Sequence, residues 1–570
     1  MPPASKLCAL LFTALIAAGG MARLADAGEY ALVIDETPVN VTGKPVRMLT
    51  VNGTIPGPTL HFTEGEDVVI RVTNRLAESA SVHWHGILLP PEMDGVPGMN
   101  GFDGIMPGQT FTYRFRIRQS GTYWYHSHSG LQEQAGLYGP IIVSPAGGDI
   151  VRAERDYVMV LSDFPSDDPR QIMANLKADA GYYNYNKRTV LDFFRDAGRD
   201  GFAATLRDRL AWGRMRMEPT DIADVGSGYT FLLNGKSPQA NWTGLFRPGE
   251  RVRLRFVNAS AMTYYDLRIP GLKMTVIQAD GQNVQPVPVD ELRIAVAETY
   301  DVMVTPEEEK PYTVFAESID RSGYARGTLS PQEGLSGDIP AQRPRTLLTM
   351  ADMGNMAGMD HGSTDDADPH AMEDMDHGGD MAAMPGMDHG AMSAMDHTRM
   401  DPGAAAAVPE SPKAPRGWAD ASTPRGMKAL SYADLRSFTP QKDTRAPGRE
   451  IIVRLDGNME RFIWTINGRK FEDARPIELR YGERVKLTFI NDSMMAHPMH
   501  LHGMFVQLVN GQPAERLPNK HVVNVAPGQN YSVLLTADEA GEWAFHCHLL
   551  FHMNAGMMTK AVVARLSATG

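Results

Sequence analysis

The strongest constraint on this 570-residue chain is that one pattern occurs in it three times. Asn52-Gly53 is followed by Gly65-Glu66 and an alternating run that ends at Asn74. The same marks return as Asn234-Gly235, Gly249-Glu250 and Asn258, and again as Asn467-Gly468, Gly482-Glu483 and Asn491. The runs alternate apolar and polar residues, as in Val68, Ile70 and Val72 or Val485, Leu487 and Phe489. That is the period of strands with one buried face. Turn residues recur at short intervals and helical periodicity is sparse, so the chain is expected to be all-β, with three related sandwich or barrel modules in series.

Aligning the copies on their glutamate separates the modules by chemistry. Seventeen residues after Glu66 stands His83-Trp84-His85-Gly86, and seventeen after Glu483 stands His500-Leu501-His502-Gly503. The same slot after Glu250 reads Leu267-Arg268-Ile269, which carries no ligand. A second pair of matches, His126-Ser127-His128 and His546-Cys547-His548, lies 420 residues apart. Residues i and i+2 of a strand share a face, so each H-x-H pair presents two imidazoles to one site. Eight imidazoles from modules one and three are enough for about three metal ions, with module two expected as a spacer.

His546-Cys547-His548 sends its histidines one way and its thiolate the other, so neighbours in sequence can serve two metal sites. His497, three residues before His500, and His552, five after Cys547, are placed to join the thiolate, with Met557 ten residues after it. Two histidines, one cysteine and a weak axial thioether are the ligands of a blue-copper electron-transfer site.

With these motifs assembled, the chain resembles the three-domain, laccase-like multicopper oxidases, built from cupredoxin-like Greek-key β-sandwich domains. The resemblance rests on HWHG, HSH, HPMHLHG and HCHLLFHMNAGM as they stand here, and it spans nearly all of the mature chain. It implies four copper ions. His497, Cys547, His552 and Met557 would hold the type 1 copper, and His83 and His500 the type 2 copper. His85, His126, His128, His502, His546 and His548 would hold the type 3 pair. It further implies one-electron oxidation of a substrate at the type 1 site and reduction of O2 to water at the other three coppers. Electrons would cross from Cys547 through its backbone to His546 and His548. Asp94, in Glu92-Met93-Asp94-Gly95, matches the family's proton-relay carboxylate. Some bacterial relatives have a carboxylate directly after the last type 1 histidine, where this chain has Met553.

Between modules two and three the composition changes. Residues 353–400 hold 11 of the 34 methionines, with Met-Asp-His at 359–361, 375–377, 387–389 and 395–397. No strand or helix period persists there, so a disordered tether is expected. Thioethers favour Cu(I) and imidazole accepts either copper state, so the insert is expected to bind additional copper. From Asp352 to Asp401 there are twelve acidic residues and one basic, Arg399, which accounts for −11 of the net −13. The insert also resembles that of the copper-resistance members of the family, which usually carry a twin-arginine export signal; here only Lys6 precedes the apolar stretch.

That stretch, Leu7 to Ala18, with Ala25-Asp26-Ala27 after it, reads as a signal peptide cleaved after Ala27. The expectation is a periplasmic protein with no membrane span, since no other apolar run reaches the roughly 18 residues required. The negative charge argues against nucleic acid, and two cysteines exclude a disulfide scaffold. The expected organisation is signal 1–27, modules 28–148 and 149–345, the second with a helical insert near 170–217, a Met/His/Asp-rich linker 346–425, and a third module 426–570. Expected partners are O2, Cu(I) or a small phenol as reductant, and periplasmic copper-handling proteins, with the chain a monomer. Met93, Met99, Met106, Met215 and Met217 are candidates for a cuprous substrate site. His61 and His521 read as structural.

Overall fold

A computed structural model describes residues 28–215, 217–345, 347–349, 423–424 and 426–565. The expected signal peptide and nearly all of the Met-rich insert lie outside them. The described strands form six sheets in three face-to-face pairs, of four and four, six and five, and six and five strands. In each pair the opening strand runs parallel to the alternating run of the repeat. Gly28–Asn40 pairs with Asp67–Asn74, Arg155–Pro165 with Val252–Asn258, and Arg449–Asn458 with Arg484–Asn491. No helix among the described residues is long and apolar enough to cross a membrane.

The repeated marks are three side-chain devices that recur in each module. Asn52, Asn234 and Asn467 sit in the left-handed region, with φ of 53°, 50° and 53°, each before a glycine also at positive φ. Asn-Gly suits this hairpin turn because asparagine tolerates that conformation and glycine has no Cβ to oppose it. Their Oδ1 atoms accept the N–H groups of Val33, Val160 and Arg454 at 2.7, 2.7 and 2.8 Å, tying turn to opening strand. Glu66, Glu250 and Glu483 each accept the N–H three residues earlier, at 2.7 to 2.9 Å. The closing asparagines pin the next loop: Asn74 donates to the carbonyls of Glu78 and Ile105, Asn258 to Thr263 and Ile294, and Asn491 to Met495 and Val525.

The residue slot read from the alignment is a strand in all three modules: His83–His85, Tyr265–Arg268 and His497–Leu501. Trp84, between the two histidines of the first, points into the core and packs edge-on against Tyr113 at 5.0 Å. In module two, Leu267 and Ile269 are buried core residues, and Arg268 pairs with buried Glu317. The helical insert is also present, as α1 (Pro169–Ala178), α2 (Val190–Asp200) and α3 (Phe202–Arg214). Asp168 caps α1 and Thr189 caps α2 through a capping box with Asp192.

Candidate metal centres

All eight imidazoles expected from the H-x-H pairs converge where modules one and three meet. Sheet register sets this up: His83 stands opposite His126 in one module, and His500 opposite His546 in the other. The two strands carrying His83–His85 and His500–His502 then face each other. His83 stacks on His502 and His85 on His500, each with ring centroids 3.8 Å apart. The Nε2 atoms of His502 and His128 lie 3.1 and 3.3 Å from that of His546. The rings of His85, His126 and His548 lie within 5.5 Å of one another.

The nitrogens not facing the centre are held by the protein. Nδ1–H of His83 donates to the carbonyl of Asp94 at 2.9 Å, His126 to Ser127 at 3.0 Å, and His546 to Cys547 at 2.9 Å. Nδ1–H of His500 donates to the carbonyl of His521 at 2.8 Å, and that of His502 to Oδ2 of Asp94 at 2.8 Å. The opposite Nε2 atoms of His83, His126, His500 and His548, and both nitrogens of His85, are buried with no hydrogen-bond partner. Buried polar atoms are rarely left so, and a row of them aimed at one point fits a metal cluster. Burial lowers the pKa of His85, His500 and His548, favouring the neutral form a ligand needs, and pulls His546 down to about 3.

Asp94 ties the two modules together at this cluster, since its carbonyl holds His83 and its carboxylate holds His502. It ends a short turn at Gly95, where a Cβ would collide with the carbonyl of Val82, so the next residue has to be glycine.

The second cluster is built around Cys547. Its Sγ lies 3.5 Å from Nδ1 of His497 and 3.8 Å from Nδ1 of His552, and those two nitrogens are 3.2 Å apart. All three residues are fully buried, as is Met557, whose carbonyl accepts the Cys547 N–H at 3.1 Å. The outer nitrogens are again taken: Nε2 of His497 meets Ser493 Oγ at 2.6 Å, and Nε2 of His552 donates to Asp224 at 2.7 Å. Trp464 stacks on His552 at 3.8 Å. Burial pushes the Cys547 thiol far up, so a thiolate here needs a cation beside it.

Comparisons with known proteins show the family. Multicopper oxidase profiles match residues 33–147, 155–334 and 444–567. The chain belongs to the multicopper oxidases. Copper resistance protein A of Escherichia coli is 49% identical, the match covering 94% of this chain and 92% of that protein. A copper resistance protein A homolog of Pseudomonas syringae pv. tomato is 50% identical with the same coverage. Among solved structures, a multi-copper oxidase from Pseudomonas thermotolerans shares the fold at a TM-score of 0.60 and 19% identity, covering 95% of this chain and all of that one. Copper is therefore the cofactor of this oxidase.

Several residues of the multicopper oxidase lie at these centres without having signalled it in sequence. Glu133 is buried with its Oε2 2.7 Å from Nδ1 of His126, and burial raises its carboxyl well above the ordinary range. Asp224 reaches His552 from 328 residues away. His521, expected to be structural, packs against His85 with ring centroids 4.8 Å apart. Module two is more than the expected spacer, because it supplies Asp224, which holds Nε2 of His552. Met99, Met553 and Met558 pack together between modules one and three. Met106 is exposed, Met217 is buried, and His61 lies on an outer strand.

Proposed function

We propose that this chain is an exported, periplasmic copper-resistance oxidase that oxidises Cu(I), with small phenols as alternative reductants, and reduces O2 to water. Four copper ions are assigned to it. His497, Cys547, His552 and Met557 hold the type 1 ion, and His83 and His500 the type 2 ion. His85, His126, His128, His502, His546 and His548 hold the type 3 pair. When bound, these ions supply one-electron oxidation at one centre and four-electron reduction of O2 at the other.

The observation that carries the reading is the continuity of His546-Cys547-His548: three consecutive residues put a thiolate in one buried cluster and two imidazoles in the other. Electrons need only a covalent path from Sγ across a single peptide bond to either histidine. Asp94 is assigned the proton-relay role, with Oδ1 3.3 Å from Nδ1 of His83 and Oδ2 bonded to His502. Buried neutral imidazoles shut solvent from the cluster and keep their lone pairs available for metal.

Cu(I) as the reductant is supported by the Met-Asp-His repeats of the sequence, which are assigned additional copper. The copper-resistance name of the two half-identical relatives points the same way. The chain is assigned as a monomer, cleaved after Ala27, working beside periplasmic copper-handling proteins.

The test is O2 uptake by the copper-loaded protein with Cu(I) and with a phenol, for the full chain and for a deletion of residues 353–400. Loss of Cu(I)-dependent uptake with phenol oxidation kept supports the reading. Unchanged Cu(I) kinetics remove the role assigned to the repeats, and Cu(I) uptake weaker than phenol uptake in the full chain makes the protein a phenol oxidase.

A further inference from the structure

The Cys547 cluster has a large neighbour that offers it no ligand. The indole of Trp464 is 1% exposed, and its N–H has no hydrogen-bond partner among the described residues. A buried indole usually finds one, so packing alone accounts for where this ring lies. It stacks on His552 with centroids 3.8 Å apart and planes 25° from parallel, and it meets His497 edge-on at 5.2 Å and 71°. One side chain therefore touches both imidazoles of the site. Each imidazole is already tied at its outer nitrogen, to Asp224 or to Ser493, which leaves the ring faces as the part still to be fixed.

The hairpin that carries the indole is shaped to put it there. Trp464 stands across the antiparallel pair from Gly457, and a Cβ at 457 would collide with the six-membered ring of the indole. On the other side the Trp464 N–H donates to the carbonyl of Ala555 at 3.3 Å, just beyond His552. Gly556, at φ +121°, lets that segment approach, since a Cβ there would lie 2.8 Å from the Trp464 carbonyl oxygen. The chain enters the strand through Phe462 at φ 46°, a costly conformation for a bulky residue. The Phe462 ring is buried and meets Trp464 and His552 edge-on, at 6.1 Å each. Phe462 also lines a cavity of about 360 Å³, with Arg461 and Met553, so it stands between that space and His552.

We propose that Trp464 is a positioning residue of the type 1 site: its indole locks the planes of both ligand imidazoles and keeps water off them, and so holds the reduction potential of the site high. An apolar, water-free surrounding favours the less charged, reduced ion, and fixed ligand planes leave less to rearrange when the charge changes. Asp224 works in the opposite sense, because a carboxylate on Nε2 of His552 makes the ring a stronger donor and favours the oxidised ion. The proposal rests on the reading that His497, Cys547, His552 and Met557 hold a type 1 copper.

A redox titration of the blue band in the full-length, copper-loaded protein reads the potential, beside Cu(I) turnover and the type 2 electron paramagnetic resonance signal. Trp464→Leu keeps an apolar side chain but no ring. Its potential should fall and its kcat for Cu(I) should drop about tenfold, with KM and the type 2 signal unchanged. Trp464→Phe keeps a ring to stack and should recover most of both losses. Gly457→Ala displaces the indole without removing it and should lower the potential as well. A potential unmoved or raised in Trp464→Leu or in Gly457→Ala, or lowered equally in Trp464→Phe, overturns the proposal and leaves the type 1 reading intact. A natural chain with no blue band overturns both. Should Trp464→Leu fail to fold, Gly457→Ala decides.

Discussion

Modules one and three share their construction with module two, and they differ from it in what the shared slot holds. All three use the same asparagine turn, the same glutamate clamp and the same parallel opening pair. In the outer modules the slot strand offers His83 and His85 or His500 and His502 to the gap between modules. In the middle one it offers Leu267 and Ile269 to a core and buries Arg268 against Glu317. The scaffold is thus indifferent to the chemistry, which depends on a few side chains at i and i+2. The middle module still reaches both candidate centres through carboxylates outside the slot: Asp224 accepts from His552, and Asp280 holds the peptide of His521, whose carbonyl accepts from His500.

Four variants sharpen or break this contrast. The largest effect is expected from Cys547→Ser, which removes the thiolate proposed to join the two centres. Blue absorbance and O2 uptake should vanish while about three coppers remain bound, as copper analysis would report. A variant that keeps its turnover would mean that electrons do not pass through this residue.

Next comes the middle module's hold on His552, the histidine proposed for electron entry. Asp224→Asn keeps the shape and removes the charge behind Nε2 of His552, so turnover with Cu(I) should fall by about 10- to 100-fold, the usual consequence of losing a metal ligand's hydrogen-bonding partner. The potential of the blue site should shift while the type 2 signal stays the same. An unchanged potential and rate would return module two to the role of spacer at this centre.

At the other centre the effect should appear as stability. Lys520→Met leaves Asp280 and Glu298 buried without their counter-ion, and such broken pairs cost about 3–5 kcal/mol. Burial raises the Asp280 carboxyl, but the Lys520 ammonium outweighs it and holds the group below its ordinary 3.8. A carboxyl lowered in the folded state contributes its stability above its unfolded value and loses it as pH falls through the folded value. The gap between the natural chain and the variant in thermal unfolding should therefore be full at neutral pH and shrink below about pH 4. A gap that does not change with pH would assign the loss to packing alone.

The smallest change in function is expected from writing the outer motif into the middle slot. Leu267→His with Ile269→His should bind no further copper, because both positions point into a closed core. Unfolding should instead become easier by about 2–5 kcal/mol, from lost packing and buried polar rings. An additional bound copper would show that the slot alone makes the site.

The repeated modules and most of the candidate ligands were legible in the sequence because both depend on short spacings. The Asn-Gly and Gly-Glu marks are local turn chemistry, and H-x-H on a strand fixes which way two rings point. What escaped depends on distant parts of the chain meeting. Asp224 lies 328 residues from His552, and Asp280 lies 241 from His521. Glu133 sits in a loop whose sequence gives no hint that it turns inward against His126. His521 read as structural because it stands alone, without an i+2 partner. Its position became visible only when the slot strands of two modules were brought face to face.

The central claim is that one chain couples a one-electron site to a four-electron site. The most direct test counts Cu(I) consumed per O2 by the copper-loaded protein, with hydrogen peroxide assayed in the same vessel. Four Cu(I) per O2 and no peroxide is the expected result. Two Cu(I) per O2 with peroxide released, or Cu(I) bound with no O2 taken up, would contradict it.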